Sequence, residues 1–168
     1  MASETTTQTA TDTGTALESW QAGLVGGIVG GLAFGVLMTM QMEMIIVEAI
    51  PGMYGVGASG MIGWTIHMAH SAVLGVVFAA ILDLGGLGDQ LDTNLTMGLA
   101  DLGYGLVLWV VLASFVMPAW VGAMTEIAPP VPDWNAASAI VPDWNAASAM
   151  GHAVYGVLLG IVYAVLSA

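Results

Sequence analysis

Four long apolar stretches, separated by short runs rich in Pro, Gly, Asn and Asp, set the pattern of this chain. They run from about 22 to 47, 60 to 82, 98 to 120 and 147 to 167. Each has the length a helix needs to cross roughly 30 Å of hydrocarbon. The first ends before Pro51-Gly52, the second at the loop DLGGLGDQLDTN, and the third carries Pro118 near its exit. The pattern predicts an all-α fold, an integral membrane four-helix bundle. Ahead of it, residues 1–19 are rich in Thr and Ala and have no apolar periodicity, which reads as a disordered tail. Residues 20–168 then form one four-span transmembrane domain. Ser19 is placed to cap the first helix, and Trp20 suits the membrane interface.

Within the first span the small residues are periodic. Gly23, Gly27, Gly31 and Gly35 recur every fourth position, with Gly26 and Gly30 on a neighbouring ridge. In water, glycines in a helix interior cost roughly 0.8–1 kcal/mol each relative to Ala. In a bilayer the backbone must bond internally, and small residues at i, i+4 let a second helix approach closely. This glycine-rich helix is the expected packing spine, within the chain or between copies of it. Gly75, Gly156 and Gly160 occupy similar ridges on the second and fourth spans: Gly63, His67, Ser71, Gly75, Ala79 and Ser148, His152, Gly156, Gly160, Ala164.

Those two ridges are related. At an offset of 85 residues, His67 aligns with His152, Leu74 with Leu159, Gly75 with Gly160 and Phe78 with Tyr163. A weaker match at 75 relates the first and third spans, Gly23 with Gly98, Gly30 with Gly105 and Met42 with Met117. The expectation is two pseudo-repeated helical hairpins, with any site between the halves. A shorter repeat, VPDWNAASAI followed by VPDWNAASAM at 131–150, reads as a duplicated decapeptide in the third connection and the start of the last span.

Composition sharpens this picture. Of 168 residues 58% are hydrophobic and only 7% charged, too few to solvate an ordinary globular surface. Lys and Arg are absent, which argues against a nucleic-acid partner and a polybasic lipid anchor, and makes the lipid bilayer the expected surrounding. All twelve formal charges are acidic, a balance that suits a protein of high-salt surroundings. The absence of cysteine excludes disulfides, thiolate metal sites and thiol nucleophiles.

Candidate chemistry gathers in one half of the bundle. The first span descends to Glu43 and Glu48 on the side from which the second and fourth spans start. His67, His70, His152 and Glu43 therefore share one leaflet, as do ten of the twelve methionines or the loops that carry them. An ionisable group at membrane depth usually faces a partner or a cavity, so these four residues are the candidate ion or metal site. In the plainer reading the carboxylates reach water and the histidines bond to backbone or Ser71. Thioether and imidazole together suit Cu(I), with Met38 and Met42, or Met40 and Met44, on one helix face. Methionine also fills irregular cores. A haem between His67 and His152 has the required symmetry but no Arg or Lys for its propionates. Asp101, near the start of the third span, reads as a helix-terminal anion. No phosphate loop, nucleophile elbow or zinc-protease motif occurs, so no enzyme is expected.

Three elements in order, GW-x-x-H (Gly63, Trp64, His67), W followed by MP (Trp109, Met117, Pro118) and GH-x-x-YG (Gly151, His152, Tyr155, Gly156), carry a resemblance over residues 22–166. The chain resembles an uncharacterised family of small four-helix integral membrane proteins found in haloarchaea and some bacteria. The resemblance implies the four-helix bundle and brings no activity, cofactor or partner. The expectation is a multi-pass protein of the cell membrane with a structural or interaction role. The alternative is a small transporter or ion-binding protein using the Glu/His cluster.

Overall fold

The computed structural model describes residues 16–86, 94–125 and 144–168, and among these the fold is all-α, without strands. Helix α1 spans Ser19–Gln41, a π-helical turn Ile45–Ala49 leads into the short α2 (Ile50–Gly52), and α3 spans Gly60–Gly85. Helix α4 (Asn94–Leu108) continues through a π-helical stretch, Trp109–Val116, into α5 (Met117–Met124), and α6 spans Trp144–Leu166. Four segments are long and apolar enough to cross a membrane: 19–41, 60–85, 96–124 and 146–166.

Helix α1 is the centre of the bundle, flanked by α3 on one side and α6 on the other, while α4 packs on α6. Its two glycine ridges divide this work. Gly23, Gly27 and Gly31 face Gly75 and Ser71 of α3, and Gly26 and Gly30 face Leu159 and Tyr155 of α6. A Cβ placed on Gly75 would stand 2.8 Å from the Cα of Gly27 and collide with the carbonyl of Gly23, so backbone meets backbone there. The spine is thus consumed inside the chain, and a contact between copies would need another face. In the second hairpin Gly156 meets Gly105 in the same manner, with a Cβ there only 3.0 Å from the Gly105 Cα. On α3 all five ridge residues, Gly63, His67, Ser71, Gly75 and Ala79, are buried. On α6 the ridge drifts out of the interface, leaving Ala164 exposed.

Two spans depart from expectation. The first helix stops at Gln41 rather than Val47, because Met42 leaves helical geometry (φ −143°, ψ 45°) and the chain folds back. Ile45, Ile46, Ala49 and Ile50 are buried by this return. Gly63 admits the Ile46 carbonyl against α3, where any Cβ would collide with it, and the Ser59 N–H donates to the Val47 carbonyl at 2.8 Å. The third span begins at Asn94, four residues before Gly98, and widens into π-helix just before Pro118. Proline lacks an N–H and its ring clashes with the carbonyl four residues back, so the preceding turn must open. The same pairing recurs at Ile45–Ala49 and Pro51.

At the other end of the bundle, the α1 cap also differs. Ser19 does not cap α1. Its hydroxyl donates to Asp83 Oδ1 at 3.0 Å and pairs with the Tyr163 hydroxyl at 2.8 Å, joining the ends of α1, α3 and α6. Glu18 stands at the N-cap, and its N–H donates to Gln21 Oε1 at 3.1 Å. Trp20 is half exposed and donates from Nε1 to Glu18 Oε2 at 2.8 Å. Residues 1–15 and the first decapeptide copy lie outside the described residues, while Trp144–Met150 of the second copy form the first turns of α6.

Candidate functional site

Helix α3 and the third span, 94–124, share little backbone contact, and the seam between them holds a cavity of about 280 Å³ between α3 and the 108–120 part of that span, with α1 and α6 completing its wall. Near the seam's other half Tyr104 closes the gap, donating its hydroxyl to the Leu74 carbonyl at 2.7 Å and packing on Phe78. The returning segment supplies Ile45, Ile50 and Met53 to the cavity wall, and the π-helical stretch supplies Ala113 and Val116. Both π distortions therefore border the same space. Most of its lining is apolar, with a few polar groups converging on it, the common make-up of a small-ligand site.

Those polar groups include all three histidines of the chain. His67 is buried, and its Nε2–H donates to the Gly31 carbonyl at 2.8 Å. His152 donates from Nδ1 to the Ser148 carbonyl one turn back on its own helix, also at 2.8 Å. A carbonyl only accepts, so each bond fixes which ring nitrogen carries the proton. In the neutral rings the lone pairs therefore sit on His67 Nδ1 and His152 Nε2. Neither nitrogen has a hydrogen-bond partner among the described residues.

Phe34 of α1 holds the two imidazoles in place, with its ring centroid 5.7 Å from His67 and 4.6 Å from His152, edge to face in both cases. Gly151 makes this possible, because a Cβ there would strike the Phe34 ring. The Tyr155 hydroxyl, buried beside them, donates to the Ser71 carbonyl at 2.7 Å and ties α6 to α3. His70 stands further out. Its Nε2 lies 2.6 Å from the hydroxyl of Tyr54, whose ring packs 5.2 Å from Trp120. Tyr54 thus links two cavity-lining residues on facing sides of the seam.

Glu43 is separated from this group, being exposed just beyond the end of α1 and absent from the cavity wall, and Glu48 is exposed as well. Among the described residues no three His, Asp or Glu side chains gather as a metal site. The methionines divide. Met38 and Met42 are buried and line the cavity with Met53 and Met117, whereas Met40 and Met44 point outward. A haem bridging His67 and His152 does not fit, because Phe34 packs on both imidazoles.

Asp101 is not at a helix end. It lies two turns inside α4, buried against Gly156 and Gly160, and its Oδ1 has no hydrogen-bond partner among the described residues. Phe34, Tyr54 and Trp120 escape a reading of the sequence, since an aromatic in an apolar span has no local contrast. Only the one-turn spacing of Gly30, Phe34 and Met38 points toward the first of them. No protein-family model matches the chain, and neither a curated protein nor a solved structure matches it.

Proposed function

We propose that this protein is a multi-pass membrane protein that binds a small solute or ion inside the bundle, as a receptor or a transporter for it, without a chemical step. The observation that carries this reading is that His67 and His152, the aligned histidines of the two hairpins, line one cavity from α3 and α6. A purely structural bundle would gain from filling this space, since an unfilled cavity forfeits packing energy at about 24 cal/mol per Å³. A ligand that occupies the site recovers that energy. The cell membrane is the corresponding location, with four apolar helices of spanning length.

The test compares the full chain with Ala113→Phe, which fills the cavity from the π-helical wall, by native mass spectrometry of protein released from detergent micelles. A stoichiometric bound species in the wild type that is missing from the folded variant is the expected result. Bare chain in both samples would return the bundle to a structural or interaction role.

A further inference from the structure

We infer that the cavity takes a soft monovalent d¹⁰ metal ion, Cu(I) or its analogue Ag(I), on imidazole nitrogen and thioether sulfur. This deepens the binding role proposed above and rests on it. Three independent features of the cavity wall converge on that ion.

The first is the state of the imidazoles. Histidines that ligate metals almost always donate their other ring N–H to a carbonyl or carboxylate, which sets the tautomer and the ring orientation. His67 and His152 both do so, to Gly31 and Ser148, each at 2.8 Å. That leaves His67 Nδ1 and His152 Nε2 as open donors.

The second is the sulfur. Met38 of α1 with Met42 just past its end, Met53 of the returning segment and Met117 of α5 reach the same cavity from three separate parts of the chain. Soft thioether ligands select Cu(I) over the harder divalent ions, and imidazole accompanies them readily. Cysteine, the usual soft ligand, is absent from the entire chain.

The third is charge. Among the described residues no carboxylate lines the cavity, and Glu43 and Glu48 are exposed outside it. Neutral donors offset a divalent ion less completely than a monovalent one, because the cost of burying an ion rises with the square of its charge. A monovalent ion that prefers neutral N and S donors fits these walls. Ca(II) and Mg(II) do not, since they call for several oxygen ligands, and Zn(II), a poor partner for thioether sulfur, would be left with the imidazoles alone.

The experiment titrates the full chain in detergent with silver nitrate in chloride-free buffer, and with Cu(I) under anaerobic competition from a chromophoric chelator. Wild type is expected to hold one equivalent. His67→Ala/His152→Ala should weaken binding by about tenfold or more. Met38→Leu/Met42→Leu, which conserves volume and should keep the fold, should weaken it as well. Met40→Leu/Met44→Leu, on exposed thioethers, should leave it unchanged, and Zn(II) should not compete. X-ray absorption of the Cu(I) form should show both nitrogen and sulfur neighbours. Absence of binding, equal binding in all variants, or loss in the Met40/Met44 control would overturn the assignment. If silver fails while a different species is found in the wild type and lost in Ala113→Phe, the binding role stands and the metal does not.

Discussion

The carboxyl group of Asp101 lies against Gly160, close enough that a methyl group on that glycine would collide with it. In the first hairpin the aligned residue, Gly75, meets the bare backbone of Gly23 and Gly27 instead. The two hairpins thus solve the same crossing differently. Both close backbone on backbone, but one turn beyond Gly156 the second also inserts an acidic side chain whose Oδ1 is buried and unpartnered among the described residues.

Removing that side chain should therefore help the fold. A buried polar atom left without a partner costs about 1–3 kcal/mol. Asp101→Ala deletes the atom and lets α4 settle on Gly156 and Gly160. Its thermal unfolding in detergent is expected at a higher temperature than that of wild type. A lower one would mean that Asp101 has a partner in the native protein.

The glycines divide into those that a methyl group would wreck and those it would not touch. Gly75→Ala forces α1 and α3 apart at their closest point, and overpacking of this kind typically costs about 1–3 kcal/mol. On α4, a methyl group added to Gly98 or Gly103 would meet nothing within 4 Å among the described residues. Gly103→Ala should leave stability unchanged or raise it, because Ala is the better helix former. The pair is read by thermal unfolding side by side. Equal losses would mean that the close approach of α1 and α3 is not what holds the bundle.

How much of this was legible beforehand follows from where contrast exists in the sequence. The four spans and the ridges through Gly27, Gly75 and Gly156 stand out because apolar length and four-residue spacing are properties of the chain alone. The histidines stand out because a polar residue in an apolar span is conspicuous. The stop after Gln41 does not, since no Gly or Pro marks it and its cause is tertiary: Ile45, Ile46 and Ile50 find burial only by folding back. Asp101 misleads for a related reason. Its span begins earlier than the apolar run suggests, which moves it from a helix end to an interior turn.

Two tyrosine hydroxyls bridge helices through backbone carbonyls, Tyr104 to Leu74 and Tyr155 to Ser71, each at 2.7 Å. Interhelical hydrogen bonds within membranes average only about 0.6 kcal/mol. Tyr155→Phe is thus expected to lower stability by less than about 2 kcal/mol while keeping the ring packing. Tyr155→Ala, which also empties a buried ring's volume beside His152, should cost about 3–5 kcal/mol. Comparable losses in the two variants would assign the energy to the hydroxyl rather than to the ring.

Tyr54 is the remaining piece, bonded to His70 on α3 and packed on Trp120 of α5. It does not line the cavity itself, but it ties together two residues that do, from opposite walls. Because the chain has no cysteine, one can be introduced as a reporter without interference. With Met117→Cys placed on the cavity wall, a water-soluble maleimide should react slowly while Tyr54 is present. Adding Tyr54→Ala should speed labelling several-fold, and a control cysteine at the exposed Met61 should be unaffected. Equal rates at residue 117 with and without Tyr54 would show that Tyr54 does not control access to the cavity.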